Sequence, residues 1–333
     1  MFNLPAIPPF VPRENVRPVV SVSGGKDSTA TYLLALEQTG GDFVAVFADT
    51  GNEHEATYEY VARLHERTGG PKVQVVKADF TGVLTKRQAY LESGRAISRT
   101  ERPWTHERVK EALAASFEPS GIPFLDLCRA KGAFPSRKRA FCSQELKRLT
   151  ILGQSHQPLV DAGYHVVSWQ GIRAEESMQR ACYPMWEQSP DADGMTIYRP
   201  LMGWTLKDVA AMHQRHNLPL NPLYRMGLSR VGCMPCINSN KKDIRLIATL
   251  FPEHIRKISD WEQQVRVISR QNLATFFHKN TIGKGNKYPV QINEVVRWSM
   301  TRRGTRSGCQ YDMMAYFAPP TSEVCVYAGG LCE

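Results

Sequence analysis

The chain lacks the marks of export and of membrane insertion. Residues 1–18 are rich in proline, with neither a basic leader region nor an apolar leader core. No apolar run approaches the length that crosses a bilayer. We expect no membrane association and a cytoplasmic location. Internal repeats and low-complexity segments are also missing, which excludes solenoid and disordered classes. Eight cysteines in a reducing compartment read as thiols or metal ligands rather than disulfides. A Walker A loop is absent too, because no Gly is followed after four residues by Gly-Lys-Ser/Thr.

What the chain has is the length for a substantial core: 333 residues, 42% of them hydrophobic. Its net charge of +10 is unevenly placed. Residues 238–310 hold fourteen Lys/Arg against five Asp/Glu, and residues 129–148 hold seven against one. The remainder is net acidic. Such concentration points to a polyanionic partner, and we expect DNA or RNA at the basic C-terminal region, with Arg302, Arg303 and Arg306 as contacts.

Apolar runs at 17–21, 42–48, 72–77, 164–170 and 197–200 read as buried strands. Helical stretches between them, such as 55–67, predict an α/β fold with a doubly wound parallel sheet. Ligands in such folds bind beyond the carboxyl ends of the strands. Residues 81–135 read as an irregular insertion or lid. The first domain spans 1–237, and a basic, mainly helical region ending in a cysteine-containing tail spans 238–333.

Between the first strand and the first helix stands Ser23-Gly24-Gly25-Lys26-Asp27-Ser28. Glycines let backbone approach a phosphate, and the N–H groups of the first helical turn point at it with the positive end of the helix dipole. Lys26 adds a mobile cation, Ser23 and Ser28 add hydroxyl donors, and Asp27 can help hold Mg²⁺. The loop resembles the PP-loop of the ATP pyrophosphatases, which cleave ATP between the α- and β-phosphates.

Further motifs follow later strands. Asp49-Thr50-Gly51-Asn52-Glu53 ends the second, where a carboxylate can bind ribose hydroxyls or a metal, or simply cap a turn. Gly171-Ile172-Arg173-Ala174-Glu175-Glu176-Ser177 with Arg180 follows the fourth; its arginines can grip a phosphate or sulfate, or form an ordinary i,i+4 pair between Glu176 and Arg180. Then come Arg199-Pro200-Leu201 with Trp204, Asn221-Pro222-Leu223-Tyr224 and Ser229-Arg230-Val231-Gly232-Cys233-Met234-Pro235-Cys236. With Phe141-Cys142 and Glu145-Leu146-Lys147, this order from about residue 16 to 240 is similar to the phosphoadenosine phosphosulfate (PAPS) reductase-like family. The resemblance implies an adenine nucleotide alpha-hydrolase-like fold.

Cys233-x-x-Cys236 has metal-ligand spacing, with a dithiol redox pair as the rival. Resemblance to the family's iron–sulfur members adds Cys142, although Phe141 stands where those members have a second cysteine. Cys309, Cys325 and Cys332 are available as the fourth ligand, and Cys325 is taken with Cys142, Cys233 and Cys236. Alternatively, Cys325 and Cys332 act together, leaving Cys142 a reactive thiol. Cys128 and Cys182 read as ordinary thiols. The resemblance implies a [4Fe-4S] cluster, with zinc the alternative. Cys332, near the end of Gly-Gly-Leu-Cys-Glu, is a candidate catalytic thiol, although the family's tail reads Glu-Cys-Gly-Leu-His.

The resemblance implies an ATP pyrophosphatase in which ATP and Mg²⁺ activate an acceptor for sulfur transfer. It is nearest to the ATP pyrophosphatases of DNA phosphorothioation, and so implies nucleic-acid thio-modification with sulfur from a cysteine desulfurase or another donor. Lys26 and Asp27, with Cys142 and Cys332, would carry the chemistry; Ser23 to Ser28, Asp49, Gly171 and Arg173 would bind the nucleotide. The alternatives are reduction of PAPS or adenylyl sulfate, a sulfate adenylyltransferase-like activity, and a non-catalytic nucleotide-sensing module. The intact Lys26-Asp27 pair separates the first reading from the reductases, which generally depart from this loop.

Overall fold

A computed structural model describes residues 8–12, 14–283, 285–302 and Phe317. Six strands form one sheet: β1 (Val16–Ser21), β2 (Val44–Asp49), β3 (Val73–Lys77), β4 (His165–Trp169), β5 (Trp186–Gln188) and β6 (Met195–Tyr198). Their spatial order is β3-β2-β1-β4-β6-β5, all parallel except the β5–β6 pair. The strand order reverses direction at β1. Its neighbours β2 and β4 are reached by crossovers that leave in opposite directions, and this opens a crevice at their carboxyl ends.

The strands form where the sequence places β-branched residues in buried runs. Along β1 successive side chains alternate between faces. Val20 joins one core with Tyr32, Leu33, Val209 and Met212, while Val19 joins another with Val46, Val76 and Val166. Pro18 is tolerated in this central strand because the register with β2 begins only at Val19↔Val44. β5 is a three-residue edge strand that no apolar run announces.

Helix α1 (Lys26–Thr39) follows β1 and is buried continuously from Ser28 to Ala35, so it runs through the core rather than over it. It stops at Gly40, whose left-handed φ of 64° lets its N–H reach the Leu36 carbonyl. The helical stretch after β2 breaks at Arg63 into α2 (Glu55–Ala62) and a short turn Leu64–Thr68.

Residues 81–135 carry three helices, Thr81–Glu92, His106–Leu113 and Pro123–Lys131. A long helical segment at 141–161 contains two π-helical stretches, Gln144–Arg148 and Leu152–His156. It lays Ile151, Leu152 and Leu159 against the sheet.

The C-terminal region is helical at Lys241–Leu250, Pro252–Val267 and Ile292–Met300. Its residues share a core with the Pro123–Lys131 helix, where Phe124 stacks on Trp261 at 5.7 Å and lies 5.9 Å from Phe276. Among the described residues no helix is long and apolar enough to cross a membrane.

Candidate nucleotide and thiol site

The loop between β1 and α1 takes the shape that its glycines permit. Gly24 has φ of +72°, and a Cβ there would stand 2.8 Å from the Thr57 methyl. The Ser28 hydroxyl receives the Ser23 N–H at 3.0 Å, lies 2.9 Å from the Ser23 hydroxyl, and donates to the Gly25 carbonyl. Asn221 donates to the Gly24 carbonyl at 3.4 Å, and the Tyr224 hydroxyl accepts the Lys26 N–H at 3.2 Å. The Asn221-Pro222-Leu223-Tyr224 motif therefore braces the loop from behind.

The charged groups form a chain. Lys26 Nζ stands 3.0 Å from Asp27, whose other oxygen accepts from Arg173 Nε at 2.5 Å; Arg173 also pairs with Glu175. Burial opposes the Lys26 charge, but the Tyr224 oxygen and the Asp27 carboxylate more than restore it and hold its pKa above the usual value. Burial likewise opposes the Arg173 charge, and Asp27 outweighs it. Gly171 makes the approach feasible: a Cβ there would lie 2.7 Å from Thr31 Oγ1 and 2.9 Å from the Asp27 carbonyl.

A crevice of about 670 Å³ opens at the carboxyl ends of β1, β2, β4 and β6. Ser23, Ser28 and Gly171 line it, together with Glu53, Lys147, Gly232 and Arg199. The segment 141–161 contributes Ser143, Lys147, Arg148, Ile151, Leu152 and His156, spaced so that the widened turns keep one face toward the crevice. Burial lowers the His156 pKa to about 4, leaving a neutral ring on this wall. Of the residues expected to bind the nucleotide, Gly24, Gly25, Lys26, Asp27, Arg173 and Asp49 are not among the lining residues; Lys26, Asp27 and Arg173 form their ion-pair chain beside the crevice, and Asp49 is engaged elsewhere. Its carboxylate accepts from the Gly51 N–H at 2.8 Å and the Tyr58 hydroxyl at 2.7 Å, with Lys77 at 3.7 Å.

The cysteines come together beside this crevice. Glu53 and Cys233 form a bridge between two loops, and the Cys233 thiol lies 3.4 Å from the Glu53 carboxylate and 3.5 Å from the Thr50 hydroxyl. Lys147 is half-buried among them. The charge of Cys233, then of Glu53, Cys236 and Cys142, holds its ammonium above the usual pKa against burial. Burial pushes the Cys142 and Cys233 thiols up, and Lys147 pulls the other way at both. The Asn238 N–H points at Cys236 Sγ at 3.4 Å.

Cys128 is fully buried and feels the charge of Cys142, a proximity that no motif announces. Cys182 is exposed. Cys309, Cys325 and Cys332 lie outside the described residues, as do Arg303 and Arg306.

Three groups that matter here were not singled out from the sequence. Lys147 belongs to the Glu145-Leu146-Lys147 element, and Tyr224 to the motif with Asn221, so a signal existed for both. His156 lies in a stretch without any motif.

The glycine loop after β1, the switch-point crevice and the half-buried thiols beside it together define an α/β protein with one candidate site. The phosphoadenosine phosphosulfate reductase domain matches residues 17–114 and 127–239, and the chain belongs to that family. It is 40% identical over 328 residues to an uncharacterized 37.8 kDa protein of Escherichia phage 186, covering 95% of this chain and 96% of that one. It is 30% identical over 159 residues to an adenosine 5'-phosphosulfate reductase of Neisseria meningitidis, covering 47% of this chain and 61% of the reductase. Among solved structures, a phosphoadenylyl-sulfate reductase from Candida auris in a phosphate complex is 15% identical. That match covers 67% of this chain and 82% of the other, with a TM-score of 0.37.

Proposed function

We propose that the protein binds ATP and Mg²⁺ at the loop Ser23–Ser28 and cleaves ATP to AMP and pyrophosphate to activate an acceptor for sulfur transfer. The acceptor is a nucleic acid. An acceptor oxygen attacks the α-phosphorus, the bond to the bridging oxygen breaks, and pyrophosphate leaves. Lys26 and the N–H groups of the loop stabilise the charge that develops on the leaving oxygens. A sulfur nucleophile then displaces AMP from the adenylated acceptor. The observation that carries this reading is the Lys26–Asp27 pair, because a loop that holds a sulfonucleotide without splitting a pyrophosphate does not need it.

Cys142, Cys233 and Cys236 would hold a [4Fe-4S] cluster, with Cys325 as fourth ligand, and the cluster would supply charge and sulfur affinity beside the crevice. Two features support this fit. The Asn238 N–H is aimed at Cys236 Sγ, and the Lys147 ammonium offsets thiolate charge. A cysteine desulfurase or another persulfide carrier would supply the sulfur, and Cys332 would receive it on the tail as a persulfide; after its outer sulfur displaces AMP, a second thiol would cleave the resulting acceptor–S–S–Cys332 bond, leaving the sulfur on the acceptor and a disulfide on the protein.

The second reading is reduction of adenylyl sulfate or PAPS by a thiolate at sulfur, supported by the relatives named as such reductases. Anaerobic incubation with ATP and a nucleic-acid acceptor, and separately with each sulfonucleotide, decides between the two. AMP with pyrophosphate is the expected product; sulfite release with no ATP consumed overturns the first reading.

A further inference from the structure

A second cavity, of about 580 Å³, lies outside the crevice and carries no role in the chemistry above. One wall is the turn Pro135–Arg139. Ser136 and Arg139 exchange N–H···O bonds of 3.1 and 3.0 Å, which fixes a tight hairpin with Arg137 and Lys138 at its tip. Arg137, Lys138 and Arg139 are all exposed. Among the described residues none of their side chains is paired with a carboxylate, and no Asp or Glu lines the cavity. The floor is apolar, with Ile237 and a fully buried Phe276. Trp298 forms part of the opposite wall, with Lys241 Nζ held 4.7 Å from its ring centroid. The cavity borders the thiols along the chain: Arg139 precedes Cys142 by three residues, and Ile237 follows Cys236.

We infer that this cavity is where a single-stranded nucleic acid docks, with backbone phosphates on the Arg137–Arg139 hairpin and one unstacked base in the apolar cavity beside Trp298. Unpaired cations at a rigid turn are a phosphate grip, and an apolar cavity walled by an aromatic ring takes the flat face of a base. A duplex hides its bases from such a cavity, so the strand must be single or locally opened. The thiols then stand between the nucleotide crevice, reached through Lys147 and Gly232, and the acceptor cavity, reached through Arg139 and Ile237. The inference rests on the proposed nucleic-acid acceptor and gives that acceptor a place and a form.

The test uses the full chain and 20-mer single strands of DNA and of RNA carrying a fluorescent label or 2-aminopurine. Arg137→Ala/Lys138→Ala/Arg139→Ala is expected to weaken binding at least about tenfold. It is also expected to flatten the slope of log affinity against log salt by about 2, since each lost single-strand phosphate contact contributes about 0.7. Because the hairpin is exposed, the circular dichroism spectrum and oligonucleotide-free ATP binding serve as folding controls and are expected to stay at wild-type values. Trp298→Ala is expected to reduce the 2-aminopurine signal change on binding. Equal affinity and slope in the triple variant, or binding of duplex alone, overturns the inference. A wild-type protein that binds the strand through this hairpin but forms no AMP leaves the docking site standing and removes the proposed activity.

Discussion

Arg173 Nε and Asp27 Oδ1 stand 2.5 Å apart, although 146 positions separate them in the chain. The contact ties the turn after β4 to the first turn of α1, across the point where the strand order reverses. It also fixes the carboxylate proposed to hold Mg²⁺. Arg173→Lys keeps the charge but loses the planar fork that reaches Asp27 and Glu175 together. AMP formation is expected to fall about 10²–10³-fold, the scale of losing one charge-stabilising group. Titration with Mg²⁺ at saturating ATP is expected to show a higher half-maximal concentration. Wild-type Mg²⁺ dependence would show that Arg173 does not act through Asp27.

Lys26 is held between Asp27 and the Tyr224 ring, with its nitrogen 5.7 Å from the ring centroid. Lys26→Ala is expected to abolish AMP formation while leaving the circular dichroism spectrum unchanged, because the brace from Asn221 and Tyr224 uses backbone groups of the loop. Unchanged AMP release would remove the loop from the mechanism.

Much of this arrangement is legible in the sequence where one local signal suffices. β1 to β4 are β-branched runs, and the phosphate loop is a contiguous motif in a strand–turn–helix context. β5 is not legible because three edge residues, Trp186–Gln188, make no pattern. The face of the 141–161 segment is not legible for a different reason. Its π-helical turns move the crevice-lining positions off the ordinary helical period, so Lys147 and His156 do not read as one stripe. The chain Lys26–Asp27–Arg173 and the proximity of Cys128 to Cys142 are tertiary facts, produced by β4 pairing beside β1 and by the Pro123–Lys131 helix packing into the C-terminal core. No spacing in the sequence encodes them.

Glu262 predicts a pH dependence of stability. Its carboxylate is buried between C-terminal elements, where it accepts the Phe276 N–H at 2.7 Å and the Ile292 N–H at 3.0 Å. Burial outweighs these bonds and pushes its pKa from 4.5 up to about 7. The folded protein therefore holds a proton that the unfolded chain has released between those values. The contribution is full below about pH 4.5 and is lost as the pH rises through about 7, amounting to about 3 kcal/mol. Urea unfolding midpoints are expected to decline from pH 5 to pH 8 in the wild type. Glu262→Gln, which stays neutral and keeps one carbonyl acceptor, is expected to flatten that decline. An equal decline in the variant would assign the effect to other groups.

The thiols give the last prediction. Lys147 feels Cys142, Cys233 and Cys236 together, whereas Cys128 feels only Cys142, from inside the apolar core. Cys128 is buried in the apolar core on the Pro123–Lys131 helix, and the proposed fourth ligand remains Cys325. Anaerobically purified protein is expected to be brown with bound iron. Cys142→Ser, Cys233→Ser, Cys236→Ser and Cys325→Ser are each expected to lower iron content well below the wild-type level, and Cys128→Ser to retain it. Iron lost from Cys128→Ser but kept by Cys325→Ser would move the fourth ligand onto the Pro123–Lys131 helix. A colourless wild-type protein with stoichiometric zinc would replace the cluster with zinc. Lys147→Met removes the cation without removing a ligand. If that cation offsets cluster charge, iron content is expected to hold while the reduction potential falls, because the added electron loses its nearest positive charge. An unchanged potential would show that Lys147 serves Glu53 and the crevice wall alone.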